Sequence, residues 1–137
     1  MTELHPEGHP AYIGLPTYLQ APFARDADEL RASGADVAVF GAPVDMGTTN
    51  RSGARMGPRA IRQAAYFGMA STCLYHIGLD VEPLDHVKVV DFGDANCPPS
   101  SLELSHEAVR TKAREALDAG TIPIVLGGDH SITLPSA

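Results

Sequence analysis

Three short apolar runs, each closing on a glycine or an acid, constrain this chain more than anything else in it. They are residues 36–41 (DVAVFG), 86–91 (HVKVVD) and 121–126 (TIPIVL, followed by GGDH). Nearly continuous β-branched runs of this kind suit strands buried on both faces of a parallel sheet. Pro123 is awkward in a central strand and tolerable only near its beginning, because proline donates no ladder hydrogen bond. Helical segments separate the runs. Pro58 takes a first-turn position, with Ile61, Ala64, Ala65 and Gly68 expected on one inward face. Ser100 with Glu103 reads as a capping box opening a helix that turns Leu102, Val109, Ala113, Ala116 and Leu117 inward and stops at Gly120. Strand alternating with helix predicts an α/β fold with right-handed crossovers. In such folds ligands collect beyond the carboxyl ends of the strands, where the segments after Gly41, Asp91 and Leu126 all lie.

The length of 137 residues suits one domain. The first thirty residues carry six prolines and glycines between Pro6 and Pro22 and show no periodicity. They predict an extended arm, lying over the surface or against a neighbouring subunit, with the organised domain running over 36–137 and the arm over 1–35. Within that arm Ala27–Ser33 has the makings of a short helix stopped by Gly34. Ten Lys and Arg against seventeen Asp and Glu leave a net charge of −7. That balance argues against nucleic acid or an anionic membrane surface as partner and suits a small cationic ligand. No apolar run reaches the roughly 20 residues that span a bilayer, and MTELHPEGHP has no secretory n-region or h-region. Two cysteines, Cys73 and Cys97, make no disulfide scaffold, so a reducing cytoplasm with buried thiols is expected.

Three segments could carry chemistry. In Gly127-Gly128-Asp129-His130-Ser131 a strand delivers two glycines, then an acid and an imidazole. A histidine held at a strand's end is a good transition-metal ligand, while an ordinary Asp-His pair caps the helix that follows; both readings stand. The long loop from Gly41 to Pro58 either rims a pocket, with Asp45, Asn50 or Arg51 facing ligand, or bonds to itself through Arg55 and Arg59. Its glycines fit neither the dinucleotide nor the Walker A spacing, which disfavours a nucleotide-binding module. Asp91 and Asp94 either hold a cation or tie loops together, and the second reading is favoured. His5 and His9 are kept off any common helical face by prolines. The remaining histidines and the methionines read as solvated or packing residues.

Taken together, GAPVDMGTTNRSGARMGPRAIR, VVDFGD and PIVLGGDHSITLP resemble the ureohydrolase family, in its agmatinase-like branch. The resemblance implies a three-layer α/β/α fold with a mainly parallel sheet, and a cytoplasmic homo-oligomer, trimer or hexamer. It implies hydrolysis of a guanidino compound, agmatine foremost, to urea and an amine. Guanidinobutyrate, a proclavaminate-type compound and guanidine are the rival substrates. Two Mn2+ ions, or Ni2+ in some relatives, would share a bridging hydroxide that attacks the resonance-stabilised guanidinium carbon. His130 matches the family's first metal ligand, and Asp45, Asn50 and Arg51 fall in the loop expected to meet substrate. The family's later ligand motifs, Asp-Ala-His-x-Asp and Ser-x-Asp-x-Asp, do not occur in these residues. The chain therefore reads as the amino-terminal part of such an enzyme, inactive by itself, or as a non-catalytic subunit of one.

Overall fold

The structure is a computed structural model that describes residues 14–67 and 75–136. Its centre is a parallel sheet of β1 (Val37–Ala42), β2 (Val89–Asp94) and β3 (Ile122–Gly127), in the spatial order β2-β1-β3. Val37 faces Val89 on one side and Ile122 on the other, and Val39 likewise faces Asp91 and Ile124. The helices are α1 (Ala27–Ser33), α2 (Gly57–Phe67), α3 (Leu102–Asp118) and the single turn α4 (Thr133–Ser136).

The period of two along a strand sorts the layers. Ala38, Phe40 and Ala42 of β1, with Val90 and Phe92 of β2, join Leu30 of α1 and Val109, Ala113 and Ala116 of α3 in the main core. Among the described residues, the opposite face holds a smaller apolar cluster of Val37, Val39 and Leu126. There α2 and the turn Tyr18–Gln20 pack together. Helices on both faces of a parallel sheet make the three-layer α/β/α arrangement.

Several boundaries differ from the sequence reading. The second strand begins three residues later than 86–91. Residues Pro83–Asp85 form a 3-10 turn, His86 and Val87 are exposed, and Val89 and Val90 take the register positions beside Val37 and Ala38. Asp94, expected beyond the strand, thus lies within it together with Asp91. The cap of α3 is Ser101, whose hydroxyl accepts from Leu104 N at 3.2 Å, one residue past the expected Ser100. Leu117 is exposed, and the buried row along the helix is Ser105, Val109, Ala113 and Ala116. On α2, Ile61 and Ala64 point to solvent, and the inward pair is Pro58 and Arg62, one turn apart. Ala65 and Gly68 lie outside the described side chains.

β3 is not buried on both faces: Ile122 is 67% exposed. Ile122 N donates to Asp36 O at 2.8 Å. Alternation then turns the nitrogen of Pro123 away from β1, where its missing N–H costs no bond within the described sheet.

The described part of the expected arm is packed onto the domain. Asp91 N donates to Pro22 O at 2.8 Å, and Ala24 N to Asp91 O at 2.9 Å, so Phe23 pairs in parallel along the outer edge of β2. Ala24 and Leu30 are fully buried. α1 spans Ala27–Ser33, capped by the Asp26 side chain at Glu29 N and ended by Gly34 in the left-handed conformation. Among the described residues no helix is long and apolar enough to cross a membrane.

Candidate metal and substrate site

Two loops meet at the carboxyl edge of the sheet: the one joining β1 to α2, and the one leaving β3. Close backbone approach brings them together. Gly128 has φ +74°, and a Cβ there would overlap the carbonyl oxygens of Ala42 and Val44. Only glycine accepts both conditions. Asp129 then stitches the loops. Its N–H donates to Val44 O at 2.8 Å, and its carboxylate accepts from Gly47 N at 2.7 Å and from Ser131 N at 2.8 Å. Burial pushes the Asp129 carboxyl up, but the hydrogen bonds from Ser131 and Gly47 outweigh it and hold the group below its ordinary value.

Asp129 is thereby the N-cap of the 3-10 turn His130–Ile132. The turn lifts the His130 side chain to the surface, where its ring makes no hydrogen bond to any described residue. His130 shares an open depression of about 390 Å3 with Thr49, Asn50 and Arg51. Both Asn50 and Arg51 are exposed there. The structure therefore brings three of the four sequence-predicted residues to one rim.

Asp45 is placed differently. It is buried, with Oδ1 accepting from Arg55 Nε at 2.7 Å and from Arg55 Nη2, and Oδ2 accepting from Gly53 N at 2.9 Å. The Arg55 hydrogen bond is the main reason its carboxyl lies below the ordinary range, against the opposing effect of burial. Thr48 also closes on its carbonyl at 2.7 Å. In this geometry Asp45 braces the loop that carries Asn50 and Arg51, and both its oxygens are committed. The self-bonded reading of the loop holds for Arg55, while Arg59 is exposed and pairs with no acid among the described residues.

Asp91 and Asp94 are tied to a residue that sequence reasoning passed over. Arg62 is buried and donates from Nε to Asp91 Oδ2 at 2.7 Å, from Nη2 to Asp91 Oδ1 at 2.9 Å and from Nη1 to Asp94 Oδ1 at 2.6 Å. Tyr18 N and Gly93 N complete the shell of Asp91. Asp91 takes the backbone N–H bonds that the structural reading expected, but the main tie is an ion-paired strut to Arg62 between α2 and β2. A signal existed: an arginine four residues after Pro58, on the same face of a helix opening against the sheet. His106, expected to be a solvated or packing residue, instead reaches the turn after β3. Its Nε2 lies 3.1 Å from Ser131 Oγ.

The donor chemistry at the rim is incomplete. An unpaired imidazole suits a divalent ion, but one nitrogen does not hold one, since tight sites use three or four donors. Asp129, the adjacent carboxylate, is spent on backbone N–H groups. Among the described residues no group of three His, Cys, Asp or Glu side chains is placed to bind an ion together. These residues fit a metal as one donor of a larger set and do not make a site alone.

A sequence profile of the arginase family matches residues 35–137. The chain belongs to that family. It is 37% identical over 126 residues to a guanidinopropionase of Pseudomonas aeruginosa, covering 92% of this chain and 37% of that relative. The crystal structure of a hypothetical agmatinase from Burkholderia thailandensis superposes with a TM-score of 0.76 at 35% identity, covering 92% of this chain and 37% of the other. A formiminoglutamase of Trypanosoma cruzi, crystallised with Mn2+, matches with a TM-score of 0.60 at 28% identity, over 80% and 37% of the two chains. The chain thus spans little more than a third of the length of the relatives it matches.

Proposed function

We propose that this chain supplies the amino-terminal part of a manganese-dependent amidinohydrolase that releases urea and an amine from a guanidino compound. The observation that carries the reading is the shared rim of His130, Asn50 and Arg51 at the carboxyl edge of a parallel sheet, in a chain of the arginase family. His130 is the donor this chain offers to the metal. Bound there with donors from elsewhere, divalent ions would supply an activated water. Asn50 and Arg51 face the space a substrate would enter, and Asp45 and Asp129 keep that rim in shape. The agmatinase-like structure and the net charge of −7 favour agmatine, a dication, as substrate. The guanidinopropionase similarity keeps guanidino acids as the rival class.

One further reading, a non-catalytic subunit that supports an active paralogue, rests on Asp129 being committed to backbone N–H groups beside His130. Urea release by the full-length protein with Mn2+ or Ni2+, across agmatine, guanidinopropionate, guanidinobutyrate and guanidine, separates the readings. The expected result is turnover of agmatine by the full-length protein and none by residues 1–137 alone. Full-length protein that stays inert on all four, with metal supplied, contradicts the enzymatic reading.

A further inference from the structure

His130 is held by its backbone rather than by its ring. Residue 129 is fixed at its N–H by Val44 O and at its carboxylate by Gly47 and Ser131. Residue 131 is fixed at its N–H by Asp129 and at its hydroxyl by His106. The 3-10 turn carrying His130 is thus clamped on both sides, once from the β1 side and once from α3. His106 is half-buried, four residues after the Leu102 that opens the long α3, and α3 is seated in the main core through Val109, Ala113 and Ala116. A single 3-10 turn has too few internal hydrogen bonds to set a side chain's direction alone.

We propose that His106 is a positioning residue: through Nε2 and Ser131 Oγ it anchors the His130-bearing turn to α3 and so sets where the His130 imidazole stands. The contact needs no particular charge on His106, because either ring state can meet a hydroxyl, which both donates and accepts. Groups that orient a ligand from behind characteristically change metal affinity about 10- to 100-fold when removed. The consequence for metal rests on the reading of His130 as a metal donor; the anchoring itself does not.

The test uses the full-length protein as wild type, His106→Ala, His106→Gln and Ser131→Ala. Two quantities are read: amide hydrogen exchange over residues 129–132, and the dissociation constant for Mn2+ followed by the resonance of the free ion. His106→Ala and Ser131→Ala are expected to speed exchange in the turn and weaken Mn2+ binding about tenfold or more. His106→Gln, whose amide can still meet the hydroxyl, is expected to restore both. A folded His106→Ala protein with unchanged exchange in the turn overturns the proposal. So does a His106→Gln protein no better than the alanine variant, since packing alone would then explain the loss. If His106→Ala does not fold, Ser131→Ala and His106→Gln decide by the same criteria. A wild type that binds no Mn2+ sinks the metal reading of His130 while leaving the exchange comparison to judge the anchor.

Discussion

Arg62 meets Asp91 side-on beneath α2, Nε on Oδ2 at 2.7 Å and Nη2 on Oδ1 at 2.9 Å, with both residues buried. The pair sits on the sheet face that holds few apolar residues, so an ionic strut stands where the other face has Phe40, Phe92 and Leu30. Breaking one side of such a pair leaves an uncompensated charge in the interior. Arg62→Met is therefore expected to destabilise the fold by about 3–5 kcal/mol. Urea denaturation measures it, and a loss below about 1 kcal/mol would mean that water reaches Asp91.

Gly128 is the second structural test. Alanine there must adopt a left-handed conformation, at about 1–2 kcal/mol, and must also push aside the carbonyl oxygens of Ala42 and Val44. Gly128→Ala is expected to lower the melting temperature more than Gly34→Ala, where φ is also positive but nothing lies within 4 Å. Equal shifts in the two variants would show that the two loops do not approach as described.

The Asp129 carboxyl is held below the ordinary carboxylate value of 3.8. A group whose pKa is depressed by folding contributes stability that is present above its unfolded value and is lost as pH falls through the folded one. Wild type is thus expected to lose stability between about pH 4 and lower pH more steeply than Asp129→Asn. The asparagine variant is expected to be less stable at pH 7. Parallel stability curves for the two proteins between pH 2.5 and 7, an interval of about 4 to 5 units around the carboxylate range, would contradict the assignment.

Asn50 and Arg51 separate from Asp45 by what their loss does. Both are exposed at the rim, so alanine at either is expected to leave stability within about 0.5 kcal/mol while lowering guanidino-hydrolase activity of the full-length protein. Asp45→Ala is expected to destabilise the loop as well, releasing Arg55 and Gly53 N. Thermal unfolding beside urea release reads both. A rim variant with full activity would remove that residue from the substrate's path.

The three strand segments and the helix ends at Gly34 and Gly120 were legible because they depend on local period and backbone freedom, whereas the three-layer order came from the family resemblance. The start of β2 was not. HVKVVD alternates well enough to pair at 86, and only the register opposite Val37, a long-range fact, moves the strand to Val89. The inward face of α2 was misread for a related reason. Helical period ranks apolar residues first, whereas the partner across the gap is a buried carboxylate that selects Arg62 over Ile61. At the rim, GGDHS pointed to His130, but the division of labour between Asp45 and Asn50-Arg51 needed to know which oxygens Arg55 reaches. His106 left no local trace, since its partner lies 25 residues away.

Anomalous scattering from crystals of the full-length protein grown with Mn2+ tests the central reading most directly. The account predicts manganese within coordination distance of a His130 ring nitrogen, and loss of that signal in His130→Ala. A wild-type crystal whose manganese binds elsewhere, with the His130 ring facing solvent alone, would contradict it.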